Sequence, residues 1–452
     1  MFPAYGFGMS LIPSLSLLED VCHAWRLPGI VVCGFDRNRV ETVVFGQRDL
    51  EAKLPMSPDT RFPLASITKT FTADLLLRAA DEGRVEPDVP IIGQLPGFAL
   101  ADPEATARMT PRDAACHFSG LPPHTWSWVF GDMPRQTFIR ERLPHLASAG
   151  PFREKHRYSN LMYAVLGRLI ETGTGPVWEE ALERDILRPL GLCNTGVLSE
   201  SWAGPSLVAR PYADGDRPRK IPPFVARRGH LIAPASEMIG TMPDLAKWGR
   251  TLLKLSPGDE RWHPHNEISG EGMDGDRPRE FGALHYGLGW RVDHAGESMR
   301  VWHSGQCSGY SLLLSLTPET GTGHAYACNR SGAVGALHAL DFWNKTGKEI
   351  EWAAPPPPGP SADSGRFVPA GPKALPHGIF VNPGYGNLEI GAGSHGWIAY
   401  QNAGPVPVEV DSQGGLSFKL PVYGVRFEIR SDGDGLRIPF QRGQAPIRFT
   451  PR

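Results

Sequence analysis

Leu15, Leu17, Leu18, Val21, Cys22 and Trp25 recur at helical spacing and predict an amphipathic helix over residues 15–25, closed by Leu27-Pro28-Gly29. Two β-rich runs, 30–35 and 40–45, flank Asp36-Arg37-Asn38-Arg39 and predict a hairpin. The pattern turns helical at 67–82 and stops at Gly83. Thr110-Pro111-Arg112-Asp113 sets a capping residue before a proline, the order of a helix start. Further helical patterns cover 158–173, 177–187 and 242–253, the last entered through Pro243-Asp244. Strand patterns return at 288–292, 300–303, 310–316 and 324–328, and a helix follows at 333–344. Strands from both ends of this region would share one sheet, with helices inserted between them.

Ala354 to Pro360 holds five prolines and predicts a stiff, extended linker. Beyond it, short apolar runs at 387–390, 397–400, 416–420, 425–429 and 447–449 alternate with Gly and Pro turns. They predict a small all-β barrel or sandwich. The expected units are a first domain over 1–352 with a helical insertion at about 67–240, a linker over 353–374, and an all-β domain over 375–452.

Composition narrows the function classes. The 452 residues are 41% hydrophobic and 21% charged, a globular balance. Lys+Arg number 46 against Asp+Glu 48, so no basic excess points to nucleic acid. No run reaches the ~20 apolar residues of a membrane span. Residues 1–18 lack a basic n-region and are interrupted by Pro3, Gly6, Gly8 and Pro13, so no signal peptide is expected. The six cysteines are scattered, with no CxxC pair, which argues against a zinc or redox motif and for reduced thiols in a cytoplasmic protein.

Three motifs carry candidate chemistry. Ser66 and Lys69 in Ser66-Ile67-Thr68-Lys69 lie three apart at the start of the apolar helix, on one face of its first turn. A lysine there can take the hydroxyl proton if burial or a neighbouring cation lowers its proton affinity. Tyr158-Ser159-Asn160 offers a proton relay in Tyr158 and, in Asn160, an amide to orient the lysine and a substrate. His303-Ser304-Gly305 ends a predicted strand, and the N–H of Gln306 could join that of Ser66 in an oxyanion hole. Each motif alone also fits a plain role: Ser66 as a helix cap beside a solvated Lys69, Tyr158 as packing.

Together and in this order they resemble the S-x-x-K, Y-x-N and K-T-G or H-x-G elements of the serine β-lactamase and penicillin-binding-protein superfamily. The resemblance is strongest to its class C β-lactamase-like branch of esterases, D-amino-acid peptidases and transacylases. Residues 110–122, Arg188-Pro189-Leu190-Gly191-Leu192 and Tyr286-Gly287-Leu288-Gly289-Trp290 are similar to further motifs of that branch. The likeness covers roughly 15–344, and Pro383 to Gly386 resembles part of a C-terminal β module found on some members.

The resemblance implies an α/β (α+β) fold: an antiparallel sheet with the terminal helices on one face and the helical insertion on the other, and Ser66 in the cleft. Ser66 would be the nucleophile, Lys69 and Tyr158 would share its proton, and the amides of Ser66 and Gln306 would hold the oxyanion. No metal or organic cofactor is implied. His303 stands where classical members have lysine, so β-lactam recognition is not expected. Glu237, in Pro234-Ala235-Ser236-Glu237-Met238, would read a substrate amine or be a solvated loop carboxylate. Trp126, Trp128 and Phe130 would roof a pocket or plug the space between their loop and the helical domain. His117 and Ser119 read as structural, and Lys155-His156-Arg157 as a solvated charge run.

The function expected is acyl-enzyme chemistry on a cytoplasmic ester or amide: an acyltransferase first, or a hydrolase, in small-molecule or peptide natural-product metabolism. The partners would be a small-molecule or peptide acyl donor and an amine acceptor, with no nucleic acid and no membrane. The alternatives are a plain esterase or D-amino-acid peptidase, and a non-catalytic ligand-binding module. The β module would be a lid over the cleft or an appendage for solubility or oligomerisation.

Overall fold

The strand Gly29–Asp36 pairs on one side with its hairpin partner Val40–Asp49 and on the other with Thr322–Cys328, almost three hundred residues away. Among the described residues nine strands form this antiparallel sheet, in the order Leu54–Pro55, Val40–Asp49, Gly29–Asp36, Thr322–Cys328, Tyr310–Thr317, Ser298–Cys307, Arg291–Ala295, His285–Tyr286, Asn266–Glu267. The computed structural model describes residues 10–198, 207–213, 219–220, 230–268, 277, 279–348, 378–391, 397–401, 403, 405–410, 416–420, 425–432, 435–440 and 445–452. The proline-rich stretch read as a linker, 353–374, lies outside them.

Strand side chains alternate between two covered faces. Ile30 and Val32 enter a layer with Leu18, Val21 and Cys22 of the helix Leu15–Ala24 and Leu337 and Leu340 of the helix Val334–Thr346. Val31, Cys33 and Phe35 face the other way, toward Phe71, Leu245 and Trp248 of the helical region. This is the expected α/β arrangement, and because neither face meets water the strand Gly29–Asp36 is apolar on both parities.

Most predicted helices stand. Thr110 caps Pro111–Ala115 with a reciprocal Thr110–Asp113 capping box. The pattern at 177–187 is a short helix, Trp178–Leu182, running into a π turn, Glu183–Leu187. The pattern at 158–173 becomes helix only at Asn160–Thr174, since Ser159 is extended at φ −142°. The strand expected at 288–292 begins later, at Arg291–Ala295. The cause is Gly289: its φ is +77°, and a Cβ there would lie 2.8 Å from the Lys69 carbonyl oxygen. The chain turns directly over the helix that carries Lys69 and Ala73 before the strand starts.

The C-terminal part is a closed barrel of Gly378–Asn382, Gly386–Gly391, Trp397–Tyr400, Pro405–Val410, Leu416–Leu420, Val425–Asp432, Gly435–Ile438 and Ile447–Pro451. Closure removes free sheet edges. Rings fill its interior: Tyr385 stacks on Phe440 with centroids 5.4 Å apart, and Phe418 lies 5.4 Å from Phe427. The barrel docks on the loop beginning at His124. Tyr385 Oη lies 2.7 Å from His124 Nδ1, and Tyr400 Oη donates to the Trp126 carbonyl at 2.5 Å.

Candidate active site

The chain enters the site through Phe62–Pro63, which pairs with Met238–Gly240. Ala65 follows in the left-handed region, at φ 47°. A non-glycine residue there costs of order 1–3 kcal/mol and persists only where its surroundings hold it. Here Leu64 and Ile67 are both fully buried on either side. A short 3-10 turn, Ala65–Ile67, then leads into the helix Thr68–Asp81. Neither element has a side-chain cap bond, so Ser66 is not the capping residue of the plain reading.

Ser66 is partly exposed, whereas Lys69 is fully buried, which also removes the solvated reading of the lysine. Lys69 Nζ lies 2.8 Å from Asn160 Oδ1, 2.9 Å from the Ala235 carbonyl oxygen and 3.3 Å from Ser66 Oγ. Burial, followed by the positive charge of Arg291, holds the lysine well below its ordinary value of 10.5. A neutral amine has two N–H donors and one lone pair. The two acceptors, Asn160 Oδ1 and Ala235 O, take the donors, and the lone pair is left facing Ser66.

Tyr158 donates to Ser66 Oγ at 2.8 Å. His117 fixes the backbone on both sides of this tyrosine. Its carbonyl accepts from Arg157 N–H at 2.9 Å, and its Nδ1 accepts from Ser159 N–H at 3.2 Å. The ring centroids of His117 and Tyr158 are 4.3 Å apart. Burial pushes His117 well below the usual histidine range, so it is neutral. Ser119 Oγ accepts from the Leu121 N–H within the same loop, a turn-forming role.

His303 is buried with both ring nitrogens engaged. Nδ1 donates to the Ser304 carbonyl at 2.7 Å, and Nε2 accepts from the Tyr286 hydroxyl at 2.9 Å. Burial and Arg291 hold it well below the usual histidine range. Gly305 brings this strand against the serine turn, where a Cβ would fall 2.4 Å from the Leu64 carbonyl oxygen. Gln306 follows and is exposed. The solvent-reaching rim therefore includes Ser66, Tyr158, Asn160 and Gln306, with Lys69 and His303 beneath it.

Several expectations change. Glu237 is fully buried, not solvated, and its Oε2 lies 3.3 Å from His230 Nδ1. Its partner is a histidine of the protein. Trp126 packs at the barrel seam, with its ring 4.8 Å from Phe427 and 6.0 Å from Phe130. His156 is not part of a solvated run: burial pushes it down to about 3, and its ring lies 5.2 Å from Tyr286 and 5.5 Å from His117. Lys155 beside it is exposed, as read.

Two functional groups were missed. Tyr286 was read only as part of a motif, yet it supplies the hydroxyl that fixes His303. Arg291, buried next to His303, carried no spacing signal, because the turn at Gly289 decides where its side chain goes. Among the described residues, no group of three or more His, Cys, Asp or Glu is placed to hold a metal ion, and no helix is long and apolar enough to cross a membrane.

A model of the Beta-lactamase family matches residues 18–344. An Unguisins hydrolase of Aspergillus campestris is 26% identical over 365 residues, 74% of this chain and 68% of the relative. Among solved structures, the octameric penicillin-binding protein homologue from Pyrococcus abyssi superposes with a TM-score of 0.64 at 21% identity, over 96% of this chain and 98% of the other. A D-stereospecific amidohydrolase from a Streptomyces species does so with a TM-score of 0.57 at 25% identity, over 73% of this chain and 98% of the other.

Proposed function

The chain belongs to the β-lactamase family of serine hydrolases, and from that membership and its site geometry we propose that it cleaves an amide or ester through an acyl-enzyme on Ser66. The observation that carries the proposal is the buried Lys69 with its lone pair turned to Ser66 Oγ.

Lys69 takes the Ser66 proton as Oγ bonds to the substrate carbonyl carbon. The amides of Ser66 and Gln306 hold the oxyanion. When the tetrahedral carbon collapses, the bond to the leaving nitrogen or oxygen breaks and Tyr158 protonates that atom. The Lys69 proton then returns to Tyr158, and both are reset. A second nucleophile gives its proton to the same pair as it attacks the acyl carbon, and that proton passes to Ser66 Oγ when the ester bond to the serine breaks and the acyl group leaves. Asn160 keeps Lys69 oriented, and His303 shapes the wall opposite.

Water is the favoured second nucleophile. The two side chains that could have favoured an amine acceptor, Glu237 as an amine reader and Trp126 as a pocket roof, have partners within the protein: His230 beside Glu237, and the barrel ring of Phe427 against Trp126. Water stands at ~55 M, so an acceptor competes only through a high effective molarity. The hydrolase and amidohydrolase names of the relatives favour amides, those with D-configured residues among the first to try.

The test has two parts. A fluorophosphonate should label wild type at Ser66, and Ser66→Ala should be folded and unlabelled; labelling of the Ala protein at the wild-type rate would overturn the assignment. Activated amides and esters should then give free acid in the presence of an amine panel. Amide transfer product as the main outcome would make the protein an acyltransferase.

A further inference from the structure

Residues 230–238 form a bracket against the start of the helix Thr68–Asp81. At its far end Met238 ties to the serine turn: its carbonyl accepts from the Leu64 N–H at 2.7 Å, and its own N–H donates to Thr68 Oγ1 at 3.3 Å. In its middle lies the short turn Ala233–Ser236. There the Pro234 carbonyl accepts from Thr72 Oγ1 at 2.6 Å, and the Ala235 carbonyl accepts from Lys69 at 2.9 Å. At its near end Arg135 donates to the carbonyls of His230 and Leu231, at 2.8 and 3.3 Å. Arg135 is itself anchored by Glu171 and Glu179.

His230 and Glu237 close this bracket from within, His230 Nδ1 donating to Glu237 Oε2 at 3.3 Å. Among the described residues no other side-chain hydrogen bond joins two residues of the bracket. Both members sit in unfavourable states. His230 is left-handed at φ 44°, a conformation that persists only where its surroundings hold it. Glu237 is fully buried, and its Oε1 has no hydrogen-bond partner among the described residues. A small side chain at 237 would avoid that burial. The bond to Glu237 raises His230 above its ordinary 6.5, as an interaction with a carboxylate should. The pair therefore spans a bracket whose middle carries an acceptor of the catalytic lysine.

We propose that Glu237 is a positioning residue for the acylation step: its hydrogen bond to His230 holds the turn Ala233–Ser236 in place, and with it the Ala235 carbonyl that aims Lys69 at Ser66. Lys69 has two such acceptors, Asn160 Oδ1 and Ala235 O. If the carbonyl drifts, one N–H donor is released and the lone pair loses its single direction. A misplacement of about 1 Å is enough to slow a reaction strongly. Glu237 is walled off from solvent and acts through the backbone, by its bond and not by its charge. The inference rests on the acyl-enzyme reading above.

The experiment is saturation labelling of Ser66 by a fluorophosphonate, which separates the maximal rate from the half-saturating concentration, at a temperature well below every melting midpoint. Glu237→Ala and His230→Leu each remove the bond. Each should lower the maximal rate about tenfold and leave half-saturation within about twofold of wild type. The double variant should be no slower than the slower single variant, because both break the same bond. Glu237→Gln keeps an acceptor and His230→Asn keeps a donor, so each should recover the maximal rate to within about threefold of wild type. A Glu237→Ala protein that melts lower yet labels at the wild-type maximal rate has lost stability alone, and that result overturns the proposal. So does a Glu237→Gln protein as slow as Glu237→Ala, which would assign the effect to charge. If Glu237→Ala does not fold, His230→Leu decides, since the His230 side chain is 39% exposed: a wild-type maximal rate there overturns the proposal. Wild type that is not labelled at Ser66 would instead sink the acyl-enzyme reading itself.

Discussion

Asn160 Oδ1 accepts from Lys69 at 2.8 Å, closer than the 3.3 Å between Lys69 and Ser66 Oγ. The asparagine thus aims the lysine, and it does so as a neutral acceptor. Asn160→Asp would place a carboxylate at that distance and favour the ammonium form. The acid limb of Ser66 acylation should move up by about one to three pH units. Asn160→Ala removes the acceptor without adding charge. Its limb should stay while its plateau falls about tenfold or more through misorientation. A wild-type limb in the Asp variant would show that Lys69 is not the group being titrated.

The buried lysine also marks stability. An unfolded lysine is protonated up to its ordinary value of 10.5, whereas folded Lys69 loses its proton well below it. Between those limits the unfolded chain binds one more proton, so folding is favoured as pH rises through the window. Lys69→Met lacks this term. The stability of wild type relative to Lys69→Met, from urea unfolding at pH 7, 8 and 9, should grow with pH, approaching a limit of ~1.4 kcal/mol per pH unit once folded Lys69 has lost its proton. Lys345, also buried and lowered, is present in both proteins and cancels. Parallel pH profiles would mean that Lys69 is charged in the fold, and its role as base would go with that.

The sheet, the flanking helices and the serine-lysine pair were legible because each depends on spacing along one element. Ser66 and Lys69 share a helix turn whatever surrounds them. What depends on contact between distant elements was not. Glu237 stayed open between an amine reader and a solvated loop carboxylate because nothing local shows that Met238–Gly240 pairs with Phe62–Pro63 and draws it inside. His156 took its reading from charged neighbours, while its burial comes from Tyr286 and His117. Pro405 and Pro407 hid the barrel strand Pro405–Val410, since prolines argue against strand in a linear reading.

Gly289 ties the fold to the chemistry. Its φ of +77° strains any side chain, and a Cβ would sit 2.8 Å from both the Lys69 carbonyl oxygen and the Ala73 Cβ. Gly296 has a similar φ of +65° with nothing within 4 Å. Gly296→Ala should therefore cost about 1 kcal/mol from strain alone. Gly289→Ala should cost about 2–4 kcal/mol and slow Ser66 labelling by displacing Lys69. Equal effects of the two substitutions on melting and labelling would mean that the helix yields freely there.

The barrel should reach the chemistry through the loop it grips. Gln401 Nε2 lies 3.3 Å from the carbonyl oxygens of both Trp126 and Ser127, and Tyr385 Oη lies 2.7 Å from His124 Nδ1. His124 is held left-handed, at φ 40°. Two residues before it, the Pro122 carbonyl accepts from Ser159 Oγ at 3.4 Å, and Ser159 stands between Tyr158 and Asn160. Loosening the seam should let this loop relax and blur the placement of Tyr158. Tyr385→Phe and Gln401→Ala should each lose about 1–3 kcal/mol in urea unfolding, since buried partners are left unpaired. They should also lower the acylation rate about three- to tenfold. Arg426→Ala is the control, because Arg426 is exposed on the barrel and pairs with Glu409 within it. Its acylation rate should match wild type. Removing residues 353–452 altogether would uncover Trp126 and Phe130, which pack on Phe427 and Tyr400. That protein should bind a hydrophobic dye and associate, so the point variants are the cleaner measurement. If they weaken the seam yet acylate as fast as Arg426→Ala, the barrel is an appendage with no hold on the active site.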